Sequence, residues 1–128
     1  MKKVIHTDHA PRAVGPYSQA IQMNDFLFCS GQISIDPKTQ DVFTGDIKTQ
    51  TEMVLNNIEA VLKASDLNFG HIIKTTIFLT SMSDFAVVNE IYAKRFLKDP
   101  PARSTIAVSG LPKGVNVEIE VIANKGSV

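Results

Sequence analysis

Two β-prone runs, residues 17–23 and 26–33, are separated only by Asn24-Asp25. A break that short leaves a tight hairpin as the natural connection, and Asn and Asp tolerate the positive φ it requires. The two-residue loop also sets a register: Met23 faces Phe26, Gln19 faces Ser30, and Tyr17 faces Gln32. Strand alternation then places Tyr17, Gln19, Ile21, Phe28 and Ser30 on one side of a sheet. Leu27, Cys29, Gly31 and Ile33 fall on the other.

The rest of the chain supplies partners for that hairpin. Asp36-Pro37-Lys38-Thr39-Gln40 reads as a turn. Asp46 is placed to cap a long helix in which Ile47, Thr51, Val54, Leu55, Ile58, Val61 and Leu62 make one apolar stripe. Residues 72–80, rich in β-branched side chains, predict a strand. Ser83 can cap a second helix that buries Phe85, Val88, Ile91, Tyr92 and Phe96 and ends at Asp99-Pro100-Pro101. Residues 103–109 and 115–124 alternate on either side of a loop at 110–114 and predict a second hairpin. The expected fold is α+β, one mostly antiparallel sheet with two helices on one face. No repeat or linker divides the 128 residues, so residues 1–128 are read as a single domain. Two helices cover one face only, and Ile21 and Phe28 lie on the other, which predicts self-association into a closed oligomer.

Composition narrows the functional classes. Thirteen basic residues balance thirteen acidic ones, so no net field would hold the chain on nucleic acid or an anionic membrane. Neither is expected as its main partner, and no apolar run approaches the roughly 18 residues that span a bilayer. Cys29 is the one cysteine; it cannot form an intrachain disulfide and reads as an inert core thiol. A reducing compartment follows. With no secretory apolar stretch at the N-terminus, a cytoplasmic location is expected. His6-Thr7-Asp8-His9 contains metal-ligand types without a further His or Cys cluster, and no metal site is expected there. No phosphate-binding loop or dinucleotide fingerprint is present, and no cofactor is expected.

The second predicted hairpin concentrates the chemistry. If Ile106 and Val108 point to the helices, Arg103, Thr105 and Ala107 point away from them. Val117, Ile119 and Val121 are the apolar positions of the last run, so Glu118 and Glu120 share that uncovered side with Arg103. One reading is a surface or interface ion pair, worth little when exposed. The other is a site in which arginine grips a substrate carboxylate and glutamate moves protons or orients water. Ser30 has no Gly-x-Ser-x-Gly elbow and no histidine near it in sequence, which favours a hydrogen-bonding hydroxyl over a nucleophile. Gly31 lets backbone approach a ligand closely. Tyr17 could pack or close one wall of a pocket.

These same residues carry a family resemblance. Gly15-Pro16-Tyr17-Ser18-Gln19-Ala20, Cys29-Ser30-Gly31-Gln32-Ile33 and Asp36-Pro37 resemble the N-terminal signatures of the RidA (YjgF-type) deaminase family. Lys74-Thr75-Thr76-Ile77-Phe78-Leu79 and Asp84-Phe85-Ala86-Val87-Val88-Asn89 are similar to its middle. Pro101-Ala102-Arg103-Ser104, Leu111-Pro112-Lys113-Gly114 and Val117-Glu118-Ile119-Glu120 resemble its C-terminal signature. The match is collinear from about residue 4 to 124. It implies a chorismate-mutase-like fold, assembled as a homotrimer with three clefts between subunits. It further implies hydrolysis of 2-aminoacrylate or 2-aminocrotonate, through their imines, to 2-keto acids and ammonia, on substrates released by pyridoxal-phosphate-dependent dehydratases. By resemblance Arg103 holds the substrate carboxylate, Glu118 positions the attacking water, and Tyr17, Ser30 and Gly31 complete the pocket. Thr105, a further substrate-binding position, stands where many deaminase-type members carry cysteine, so a thiol role there is absent. Gln40 and Ser65 replace family glycines. Asn89 and Tyr92 lie in a matched segment but receive no role from sequence.

Two other functions compete. A metabolite-binding regulatory trimer would use the same cleft without turnover, although carboxylate capture alone does not call for a second carboxylate at Glu118. Some relatives were described as ribonucleases or translation inhibitors, against which the balanced charge and the lack of a basic, aromatic-interleaved stripe both weigh. A holdase-like role rests on family association alone.

Overall fold

A computed structural model describes all residues 1–128. Six strands form one sheet: β1 (Lys3–Ile5), β2 (Ala20–Met23), β3 (Phe26–Gln32), β4 (Ile72–Leu79), β5 (Ala102–Ala107) and β6 (Val117–Asn124). Their spatial order is β1-β2-β3-β6-β4-β5. Every pairing is antiparallel except β4 with β5. Two helices, α1 (Ile47–Lys63) and α2 (Phe85–Ala93), pack on one face. No helix is long and apolar enough to cross a membrane.

Local chemistry explains the first hairpin and the long helix. Asn24 adopts φ 55° at the turn, and Met23 pairs with Phe26 as the loop length demands. Asp46 caps α1 by accepting the Thr49 N–H at 2.9 Å, and this bond holds its carboxyl below the usual range. Thr51, Val54, Leu55, Ile58, Val61 and Leu62 are buried along the expected stripe. They meet Leu27, Cys29, Ile77, Leu79, Val117, Ile119 and Val121 from the sheet. Val88, Ile91 and Tyr92 of α2 join the same core. Burial pushes the Cys29 thiol up to about 12, consistent with an inert core residue.

Several expectations are corrected. The N-terminal strand β1, which carries no alternating pattern long enough to announce itself, adds to the hairpin edge. Ser81, rather than Ser83, accepts at the entry to the second helical segment, because a 3-10 turn over Met82–Asp84 precedes α2. The helix ends at Ala93, well before Asp99-Pro100-Pro101. Most consequential, residues 103–109 and 115–124 do not form a hairpin. Strand β6 inserts between β3 and β4, while β5 crosses over through α2 and lies parallel to β4 at the sheet edge.

A bulge interrupts β3. Cys29 pairs with Val121 and Gln32 with Ile119, so three steps on β3 match two on β6. The extra residue lets Cys29 and Gln32 both face the core and turns Ser30 and Gly31 to the far side. Gly31 and Ile33 therefore do not join Leu27 and Cys29 under the helices, as uninterrupted alternation predicts. Tyr17 lies before β2 in an irregular segment and has no strand partner; Gln32 pairs across to β6 instead.

Candidate functional site

The corrected topology separates the two charges on which a site was expected to depend. Arg103 on β5 pairs with Thr75 on β4, which pairs in turn with Val121. Thr75 and Val121 are buried beneath the helices. Paired residues share a face, so Arg103 lies on the helix side, against α2. Thr105 pairs with fully buried Ile77 and takes the same side. Glu118 pairs with Phe78, and Glu120 with Thr76; both carboxylates lie on the opposite, uncovered face. Within one chain, Arg103 and Glu118 stand on opposite faces of the sheet.

The Arg103 half is built by α2. Its Nη1 donates to Asn89 Oδ1 at 2.6 Å. The guanidinium lies 5.4 Å from the Phe85 ring centre and 5.1 Å from that of Tyr92, within cation–π range. Tyr92 is fixed from behind by a 2.7 Å hydrogen bond to Thr75. Burial raises the Tyr92 hydroxyl's pKa, opposed by that hydrogen bond and by the Arg103 charge. Residues 85, 89 and 92 follow helical spacing and present one face to the arginine. Asn89 is thus a residue that sequence reasoning left unassigned, although its place four residues after Phe85 was the available signal. Beside Arg103, a recess of about 400 Å³ is bounded by Ala93, Phe96, Pro100 and Pro101.

The Glu118 half is a cavity of about 700 Å³ on the other side. Tyr17, Ser30, Gly31, Glu118 and Glu120 all line it, together with Arg12, Gln19, Gln32, Gln40 and Lys113. Burial first, and the neighbouring Glu120 carboxylate next, push the Glu118 pKa above the ordinary carboxylate value. Gly31 is packed so closely on this side chain that a Cβ there would collide with the Glu118 carboxylate. Ser30 Oγ donates to the Ser18 carbonyl at 2.6 Å, and its N–H donates to Gln19 O at 2.9 Å. The hydroxyl proton is committed to backbone, which suits positioning rather than nucleophilic attack. That bond also anchors the segment carrying Tyr17, which is 53% exposed.

Gln19, expected on the uncovered face, folds back instead. It accepts the Thr7 N–H at 2.7 Å and donates to Pro11 O at 2.8 Å, fastening the N-terminal segment over the cavity edge. His6 and Asp8 contact one another at 3.1 Å, and no group of three ligand-type side chains gathers there or elsewhere. The uncovered face around the carboxylates remains partly apolar: Phe28 is 47% exposed and Ile106 45%. Ile106 was expected to point inward. It shares the face of Glu118 and Phe78.

These features define a small α+β chain that carries a desolvated acid on one sheet face and an aromatic-clamped arginine on the other. The profile of the family described as Endoribonuclease L-PSP matches residues 7–125, and the chain belongs to that family, which includes the RidA-type deaminases. A RutC family protein of Pyrococcus horikoshii is 53% identical over 125 residues, covering 98% of this chain and 99% of that protein. Reactive Intermediate Deaminase A, chloroplastic, of Arabidopsis thaliana is 47% identical over 122 residues, covering 95% of this chain and 65% of the plant protein. Among solved structures, E. coli TdcF with bound serine superposes with a TM-score of 0.90 at 40% identity, covering 95% of this chain and 98% of that one.

Proposed function

We propose that this chain, working as a single domain of residues 1–128, assembles as a homotrimer. It hydrolyses small 2-imino acids, formed from the enamines that pyridoxal-phosphate-dependent dehydratases release, to 2-keto acids and ammonia. The observation that carries this reading is the placement of Arg103 and Glu118 on opposite faces of one sheet. Neither half is a complete site alone. A closed ring in which one copy's helix-side edge meets the next copy's uncovered face would bring each arginine to a glutamate of another chain. Phe28 and Ile106, half exposed on the uncovered face, supply apolar surface for such contacts.

In the assembled cleft Arg103 binds the substrate carboxylate bidentately and fixes the imine carbon. Asn89, Phe85 and Tyr92 hold the guanidinium in place. Glu118 takes a proton from water as oxygen adds to the imine carbon and passes it to nitrogen. It then carries the hydroxyl proton of the resulting carbinolamine to nitrogen as the C–N bond breaks, leaving the keto acid and ammonia. A carboxyl with a raised pKa suits both transfers near neutral pH. Tyr17, Ser30 and the Gly31 backbone shape the wall opposite, and Thr105 lines the substrate side beside Arg103. Imine hydrolysis is already fast in water, so modest transition-state stabilisation suffices without a cofactor. The name of the plant relative and the small amino acid bound by TdcF support a carboxylate substrate of this size.

The test couples a threonine or serine dehydratase to this protein and follows keto-acid release, with semicarbazide trapping the imine. Wild type is expected to accelerate release. Arg103→Ala and Glu118→Gln are expected to abolish the acceleration while keeping the assembly. Binding of 2-keto acids without acceleration on either substrate would replace the deaminase by a regulatory binding trimer. RNA cleavage, named in the family description, would need steeply salt-dependent RNA binding by the pure protein.

A further inference from the structure

In the single chain, before a neighbouring copy closes over it, the Glu118 cavity holds more than a three- or four-carbon imino acid needs. At about 700 Å³ it falls within the range that accommodates much larger ligands. Besides Glu118 and Glu120, its lining includes two cations, Arg12 and Lys113. Neither has an ion-pair partner; the chain's two ion pairs are His6–Asp8 and Arg95–Glu52. Neither is among the influences that shift Glu118, which are burial and the Glu120 carboxylate. The Arg12 backbone is nevertheless held: its N–H donates to Gln40 Oε1 at 3.2 Å, and Gln40 Nε2 donates to Pro37 O at 2.7 Å. Lys113 projects from the turn between β5 and β6. Two unpaired cations, one of them on a tethered backbone, therefore stand beside an acid that would, on its own, repel an anionic ligand.

We propose that Arg12 and Lys113 form a second anion subsite, and that it receives the distal carboxylate of dicarboxylic imino acids. This rests on the deaminase reading above: the α-carboxylate occupies Arg103 of one copy, the imine carbon faces Glu118, and the side-chain carboxylate reaches the two cations. The reaction stays balanced as a hydrolysis. Water oxygen bonds to the imine carbon, the C–N bond breaks, and nitrogen leaves as ammonia, giving a keto diacid. The supplying reaction is a two-electron oxidation of an amino dicarboxylate to its imine by an amino-acid oxidase, with dioxygen accepting the electrons and leaving as hydrogen peroxide.

The experiment generates imines with amino-acid oxidases from L-glutamate or L-aspartate, and from L-alanine or L-methionine for comparison. Semicarbazide trapping measures kcat/KM for each. Wild type is expected to hydrolyse the dicarboxylic imines. In Arg12→Ala/Lys113→Ala the dicarboxylate-to-monocarboxylate ratio is expected to fall about tenfold, the size of losing a charge-assisted hydrogen bond. A ratio within twofold of wild type, or a wild type active on monocarboxylic imines alone, overturns the subsite. Calorimetric binding of 2-oxoglutarate against 2-oxobutanoate separates this inference from the activity. If no imine is hydrolysed yet the double variant selectively loses 2-oxoglutarate, the deaminase reading fails and the anion subsite stands. If neither keto acid distinguishes the variant from wild type, the subsite fails.

Discussion

Gly31 and Glu118 form the tightest residue-level constraint in the cavity. A Cβ at Gly31 would meet the mobile end of the Glu118 side chain rather than backbone, so the carboxylate can swing away at little cost to the fold. Gly31→Ala is therefore expected to keep a near-native circular dichroism melt while losing most imine hydrolysis. A melt lowered in step with activity would instead make Gly31 a folding residue. The Glu118 titration gives a second expectation. An acid whose pKa is raised ionises later, so a general base at this position loses activity as pH falls through a value above the ordinary carboxylate range. Glu120→Gln removes one of the two causes and should move that acid limb of kcat/KM to lower pH. An unmoved limb would detach Glu120 from the titration. Both glutamates were legible in the alternation of residues 117–121, because apolar Val117, Ile119 and Val121 fix which side they leave.

Among the elements, α1 and the β2–β3 turn follow directly from a cap, a stripe and a two-residue loop, all local signals. The placement of β5 is not local. Consecutive strands usually pair, and Ile106 with Val108 looks like a core-facing alternation. The sheet, however, has two apolar faces, and a hydrophobic pattern does not say which one faces helices. Ile106 faces the uncovered side, which inverts the side assigned to Arg103. The bulge at Ser30-Gly31 was similarly silent, since one extra residue leaves composition unchanged. Loop geometry near β6 is held by Gln50 of α1, which donates to Gly45 O at 2.8 Å and to Asn116 Oδ1 at 2.9 Å and accepts the Asn116 N–H at 2.9 Å. Gln50→Leu fits the buried volume but leaves those groups unpaired. It should lower unfolding free energy by about 2–4 kcal/mol, seen as a lower urea midpoint at constant slope. An unchanged midpoint would mean that water replaces the lost bonds.

For the whole molecule, the uncovered face and the divided charges make one combined expectation. Phe28→Arg places a charge in the exposed apolar patch without touching the core. Sedimentation should give roughly three times 14.0 kDa for wild type and the single-chain mass for the variant. The monomeric variant should be inactive with Arg103 and Glu118 both intact. A fully active monomer would show that one chain completes its own site. Family membership was legible from motifs spread along nearly the whole chain, whereas the arrangement of the half-sites depends on strand order, which those motifs do not encode.

The opposite placement of Arg103 and Glu118 also has a genetic consequence. Arg103→Ala and Glu118→Gln each disable every cleft when alone. Unfolded together and reassembled, chains of the two kinds would alternate by chance around a ring. A cleft that takes its arginine from a Glu118→Gln chain and its glutamate from an Arg103→Ala chain is wild type in composition. About a quarter of clefts in an equal mixture meet that condition. Two inactive alleles of the same gene should thus complement one another.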